Sequence, residues 1–338
     1  MRANALDEHT FSYRKIQKTH KSNTILQLFS PAQLACGSRN ICGDGSFSLE
    51  VDTYPSSLLI LPPVQVQVTI LHRGERPLEG FDPDLVAQLV KKTKRLGATL
   101  KVRMQVESIK KMSDSLTVHA SVPDGQTEVF AADLVVHGAG RVPEIDDLNL
   151  PAAGIQAEER GVLVNEYLQS FSNPAVYAAG DAASTQLPAL TPVAGYEGRI
   201  IASNLLKGNH RKYEAVPTPT IVFTIPPLTA VGLSERTAQQ KGLHFRIKKE
   251  DTSGWPSSRR VAEDCSGFKI LVEENTDQII GAHFIGPHAD ELINVFALAM
   301  QVQIPASNLK HALYGYPTVG SDLQYMLEGP ELPNRSAA

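Results

Sequence analysis

Apolar residues fall into strand-like and helix-like periods from about residue 55 onward, and much less readably before it. Two β-like runs stand close together at 58–61 and 64–71. In the second, Val64, Val66, Val68 and Ile70 alternate onto one face, as in a half-buried strand. Asp82-Pro83 then opens a segment in which Leu85 and Leu89 recur at helical spacing until Gly97 stops it. Three or four further strands follow as a meander. They end on the apolar run 134–137 and the small-residue turn Gly138-Ala139-Gly140, which Arg141 and Pro143 close. Residues 161–183 predict short strands, and the last piece, "VYAAGDAA" at 176–183, reads as a buried strand entering a tight turn that carries one carboxylate, Asp181.

"TPVAGYEGRIIASNLL" predicts an amphipathic helix, after which "YEAVPTPTIVFTIPPLTAVGL" shifts the composition to proline and β-branched residues. This third region is predicted to hold a helix over 234–241, a hairpin within 268–286, a helix over 289–302 and the tail "YGYPTVGSDLQYML". The stretch "CGSRNICGDGSFS" contains Gly43-Asp44-Gly45-x-x-Ser48, a partial GxGxxG. No convincing strand precedes it and no helical period follows, so it is set aside as a phosphate loop. Residues 1–55 are left irregular or unassigned.

Composition narrows the function classes. With 42% hydrophobic and 20% charged residues, the chain reads as a soluble globular protein of two or three domains. A formal net charge of −4 leaves no basic footprint, so small molecules rather than nucleic acid are the expected partners. No apolar run approaches the roughly 20 residues of a spanning helix, and the expected location is cytoplasmic, away from membranes. Three cysteines, with five residues between Cys36 and Cys42, fit neither a redox CxxC nor a metal site and read as free thiols. No HxE, HExxH or paired CxxC occurs, so no metal is expected.

Six segments, in order, resemble the two-dinucleotide-domain flavoproteins of the glutathione reductase, dihydrolipoamide dehydrogenase and mercuric reductase type. They are "VTILHRGERPLEGFDPDL", "ADLVVHGAGRVPEIDDLNL", "GVLVNEYLQSFSNPAVYAAGDA", "LTPVAGYEGR", "VFTIPPLTAVGLSE" and "YPTVGSDLQY". The resemblance implies an α/β plus α+β chain. It has an incomplete Rossmann-like NAD(P)-binding domain at 56–150, an FAD-contacting segment at 151–215 and an α+β dimerisation domain at 216–338. It implies FAD contacts at Gly180, Asp181, Leu190, Thr191, Pro192 and Ala194. Asp181 would accept a hydrogen bond from a ribityl hydroxyl, and the following helix would aim its N-terminus at the flavin. Without the other motifs, a surface Asp capping the next turn would be the reading of that residue; with them, the flavin contact is expected. Gly138, Gly140 and Arg141 are implied at the nicotinamide-nucleotide site. Arg73 ends the second strand, with Arg76 nearby, and favours NADP over NAD, because an arginine there accommodates a 2′-phosphate.

Departures from the family matter as much. Only a few residues separate the runs 58–61 and 64–71, too few for the crossover between neighbouring parallel strands. The nucleotide phosphate loop is therefore expected to be lost, as are an amino-terminal FAD domain with its GxGxxG and the redox CxxxxC. Where the family's disulfide reductases carry His-Pro-Thr and a Glu as a proton relay, this chain has Tyr316-Pro317-Thr318 and Asp322. An unperturbed tyrosine is a poor acid-base group at neutral pH. The function expected is a truncated FAD- and NAD(P)-dependent oxidoreductase that passes electrons to a small acceptor and does not itself reduce disulfides. The alternative is an inactive remnant that only self-associates. Little bound FAD, no NADPH oxidation, and a homodimer joined through 216–338 are expected.

Overall fold

In the computed structural model the described residues are 24–29, as backbone alone, 67–138, 140 and 142–327. The first sheet is parallel. Strand β1 (Thr24–Phe29) lies between β2 (Gln67–His72) and, through the later strand β7, the far edge. Helix α1 (Pro83–Arg95) follows β2, and β3 (Thr99–Lys101) returns beside it. A separate antiparallel meander, β4 (Gln105–Lys111), β5 (Leu116–Ser121) and β6 (Thr127–Ala132), packs Val118, Ala120 and Ala132 against Leu71. The chain then re-enters the parallel sheet as β7 (Leu134–Gly138), giving the order β3-β2-β1-β7.

β1 corrects the reading of the amino-terminal residues. The parallel neighbour of β2 is not the 58–61 run, which lies outside the described residues, but a strand at 24–29 in the stretch left unassigned. The connection from β1 to β2 runs over residues 30–66, longer than the dozen a parallel crossover requires. The objection that too few residues separate the strands therefore falls away. Gly43 and Gly45 lie within this connection, after a strand and outside the described residues. "TILQLF" was missed because its polar residues, Thr24 and Gln27, break the apolar run of a buried parallel strand.

α1 forms where its ends are chemically marked. The Asp82 side chain accepts the N–H groups of Asp84 and Leu85 at 3.0 and 3.3 Å, Pro83 opens the first turn, and Lys92, Lys94 and Arg95 occupy the last. Its apolar face, Leu85, Val86 and Leu89, packs on Val222, Leu228, Cys265 and Ile285 of the third region. The helix that follows β2 of the parallel sheet is thus joined to the third region through a shared core.

The middle segment is held by few ladder bonds. It contains β8 (Ala157–Glu158), β9 (Gly161–Leu163) and β10 (Ala183–Ser184), packed under α2 (Thr191–Lys207). Residues 176–179 are not the strand expected. They hydrogen-bond the 168–170 turn, through Ser170 N–H to the Val176 carbonyl and Ala178 N–H to the Leu168 carbonyl. Only an isolated bridge, Gln169 to Tyr177, joins them to a neighbour as strand pairing would.

The third region is α+β, with an antiparallel sheet in the order β11-β12-β15-β14-β13. β11 (Thr220–Val222) and β12 (Leu228–Gly232) precede α3 (Glu235–Gln240), β13 (Phe245–Asp251) and the short α4 (Pro256–Arg259). The expected hairpin is β14 (Gly267–Glu273) with β15 (Ile279–Ile285), followed by α5 (Ala289–Gln301), α6 (Ala306–His311) and α7 (Leu323–Met326). Phe268, Ile270, Phe284, Ile293 and Phe296 form the centre of the largest core.

Candidate functional sites

All four strands of the first sheet run parallel, so their carboxyl ends share one edge. Chain order leaves β1 towards β2 and β3 on one side and returns to β7 on the other, so the crevice between β1 and β7 is the topological switch point where open α/β sheets bind ligands. Phe29 pairs in register with both His72 and Gly138 there. Gly138 ends β7 at this edge, Gly140 follows with φ +96°, and exposed Arg73 follows β2. Arg141 lies outside the described residues. Arg76 is committed elsewhere: its guanidinium donates to the carbonyls of Leu78, Glu79 and Phe81 at 3.2, 3.0 and 3.3 Å. That leaves Arg73 as the cation of the pair at the sheet edge.

The second site is the turn Gly180–Ala182 against the start of α2. Gly180 has φ +63°, and a Cβ there would stand 2.8 Å from the Ala194 Cβ, so both small residues are required for the turn to lie on the helix. The glycine is thereby explained by helix contact. Leu190 is buried with Leu187 and Val193, whereas Thr191 and Pro192 are exposed in a first turn with no side-chain cap. Asp181 lies in the same turn, half-buried. A half-buried carboxylate beside an open helix N-terminus suits the hydroxylated, polar part of a flavin nucleotide.

Sequence reasoning missed Glu197. It is fully buried, and its carboxylate accepts the Gly180 N–H at 2.7 Å and the Thr185 hydroxyl at 3.0 Å. Burial, reinforced by the nearby Asp181 charge, raises its pKa despite those two bonds. The signal was present: the buried face of α2 is Val193, Glu197, Ile200 and Asn204, so a carboxylate and an amide sit on an otherwise apolar helical stripe.

The third site lies at the carboxyl end. Tyr316 is exposed, and Thr318 and Ser321 cap a single turn reciprocally, with each side chain accepting the other's backbone N–H. Asp322 is half-buried, and its Oδ2 is buried without a hydrogen bond. Burial raises its pKa, with a Ser257 hydrogen bond and the Arg260 charge opposing. Arg260 donates to the Pro317 carbonyl at 3.2 Å. His311, given no role from its spacing, donates to or accepts from nothing in this cluster and instead contacts the Ser307 carbonyl. Cys265 is buried, and burial pushes its thiol up to about 12, so it is inert at neutral pH. Among the described residues no group of three or more His, Cys, Asp or Glu is placed to hold a metal, and no helix is long and apolar enough to cross a membrane.

The pyridine nucleotide-disulphide oxidoreductase model matches residues 8–198, and the dimerisation-domain model of the same family matches residues 218–327. The chain belongs to this family. It is therefore a member of a flavin-dependent oxidoreductase family that carries that family's dimerisation domain. An uncharacterized 19.7 kDa protein in the mercuric resistance operon of Staphylococcus aureus is 48% identical over 180 residues, which are 53% of this chain and all of that protein. The mercuric reductase of Staphylococcus aureus is 32% identical over 259 residues, covering 76% of this chain and 47% of the reductase. The Cu(II) complex of the HOCl-induced flavoprotein disulfide reductase RclA from Escherichia coli has the same fold, with a TM-score of 0.73 at 20% identity over 89% of this chain and 64% of that one. The chain spans about half the length of the mercuric reductases it matches.

Proposed function

We propose that this family member works as a homodimer joined through its carboxyl-terminal domain, with FAD held in part by the Gly180–Asp181 turn and the first turn of α2. NADPH is placed at the β1–β7 switch point, where Arg73 faces the 2′-phosphate and favours NADP over NAD. Electrons pass to a diffusible small acceptor. The observation that carries this reading is the contact of the Asp181 turn with an uncapped helix N-terminus, fixed by Gly180 against Ala194. Disulfide reduction by these residues is disfavoured, because the 338 residues contain no CxxxxC and Tyr316 occupies the position of the relay histidine. Asp322, with its buried oxygen, is the remaining acid-base group of that pair.

A second reading, self-association without redox turnover, is favoured by those same two departures. One preparation separates the two. After gel filtration, near-equimolar flavin absorbance on a dimer supports the oxidoreductase, and a colourless dimer supports the self-associating module. A folded, colourless monomer removes both.

A further inference from the structure

Glu197 is a carboxylate with no route to solvent, on a helix face otherwise given to packing. Burying a charge is costly unless its oxygens are satisfied, so a residue of this kind persists for what it holds. Its Oε2 accepts the Gly180 N–H at 2.7 Å, and its Oε1 accepts the Thr185 hydroxyl at 3.0 Å. These partners are the first residue of the turn and the residue just after β10, so one side chain spans the loop that carries Asp181. Thr185 is itself buried. From the opposite side, the missing Cβ of Gly180 lets the turn settle on Ala194.

We infer that Glu197 is the positioning residue of the Asp181 turn, fixing through Gly180 and Thr185 the place and direction in which Asp181 meets the ribityl hydroxyls of FAD. The inference rests on the flavin reading of that turn. Its geometric half, the clamp itself, stands independently and is tested without ligand. Glutamine keeps an acceptor for the Gly180 N–H and offers an amide donor that the Thr185 hydroxyl can accept, so Glu197→Gln is the conservative variant. Alanine removes both bonds.

Hydrogen exchange on the ligand-free full chain reads the clamp. In Glu197→Ala, exchange over residues 180–185 rises by roughly tenfold or more, while the carboxyl-terminal domain is unchanged and Glu197→Gln restores protection. Titration with FAD reads the consequence. Glu197→Ala and Asp181→Ala each weaken FAD binding by roughly tenfold, and the double variant loses little more than either, because the first acts through the second. Additive losses overturn the inference, as does unchanged exchange at 180–185. A wild-type chain that takes up no FAD, yet shows the exchange response, sinks the flavin reading and leaves the clamp established. If Glu197→Ala fails to fold by circular dichroism, Thr185→Val removes one bond only and gives the same test, with a smaller response expected over 180–185. A folded Thr185→Val chain with wild-type exchange there counts against the clamp.

Discussion

Lys269 Nζ lies 2.7 Å from Asp82 Oδ2, with the two side chains 3% and 1% exposed, and the two residues belong to different domains. Asp82 caps α1 beside the parallel sheet, and Lys269 comes from β14 of the carboxyl-terminal sheet. Asp84 and Glu235 complete the cluster at 2.9 and 3.0 Å from the same ammonium. Burial alone would lower the Lys269 pKa, but its bonds to Asp82, Asp84 and Glu235 outweigh it and the net shift is upward. Lys269→Met leaves Asp82 buried without its counter-ion, so we expect a loss of about 3–5 kcal/mol. Urea unfolding measures it. Pairing the change with Asp82→Asn should recover much of the loss, and a double variant no more stable than Lys269→Met would contradict the buried-charge explanation.

That cluster shows how far the sequence could be read. The N-cap role of Asp82 and the helix after it were legible, because capping is local and leaves a spacing in the chain. The partner of Asp82 was not, since Lys269 is remote in sequence and nothing in an alternating strand marks a lysine as buried. In the third region α3, the β14–β15 hairpin and α5 were read nearly to the residue, for their periods are strong, whereas β11, β12, β13, α4 and α6 were not read as elements. β1 was not read, because a parallel strand need not alternate and its pairing comes from segments more than 40 residues away. At the turn Gly180–Ala182 the tight, small-residue geometry was legible from the Ala-Ala-Gly-Asp run. Glu197 was passed over as part of an amphipathic helix, although its place in the Val193–Ile200 stripe put it on the core side.

Asp84 ties stability to pH. Hydrogen bonding to Lys269, then to Lys249, holds its carboxyl below the usual carboxylate range. A group whose folded pKa is lowered contributes stability that is present above its unfolded pKa and is lost as pH falls through the folded one. The window therefore opens below about pH 4. Wild-type protein should lose stability more steeply there than Asp84→Asn, with a constant offset between the two near neutral pH. Parallel unfolding midpoints through the acid limb would remove Asp84 from the account.

Two glycines near one helix should respond in opposite directions. Gly180→Ala forces a side chain onto a φ of +63° and to within 2.8 Å of the Ala194 Cβ, so it should cost roughly 1–3 kcal/mol. Gly198, inside α2, has open space around its missing Cβ, and Gly198→Ala should stabilise by up to about 1 kcal/mol. Thermal unfolding of the ligand-free chain checks both. Equal effects of one sign would mean that the turn does not lie on α2 as described.

The last expectation concerns assembly and begins with α5. Its inner face, Leu292, Ile293, Phe296 and Ala299, is consumed by the core, as a helix packed on a sheet requires. Val295 and Leu298 lie three residues apart on the helix and Val302 four further on, at its end, and they are 36%, 57% and 56% exposed. That is a second apolar stripe at helical spacing on a domain whose core is already complete. Nearby in sequence to the same domain's end, Leu313 and Tyr316 are also exposed. An isologous contact along α5 would cover the stripe with its own copy, and a stable interface of this kind buries more than about 1,000 Å². Leu298→Asp sets two like charges against each other across such a two-fold contact and removes apolar area at the same time. We expect wild-type protein to sediment as a dimer at micromolar concentration and Leu298→Asp as a folded monomer. Leu206, 84% exposed at the end of α2, lies outside the dimerisation domain, so Leu206→Asp should remain dimeric. Dissociation by Leu206→Asp but not by Leu298→Asp would move the interface away from α5 altogether.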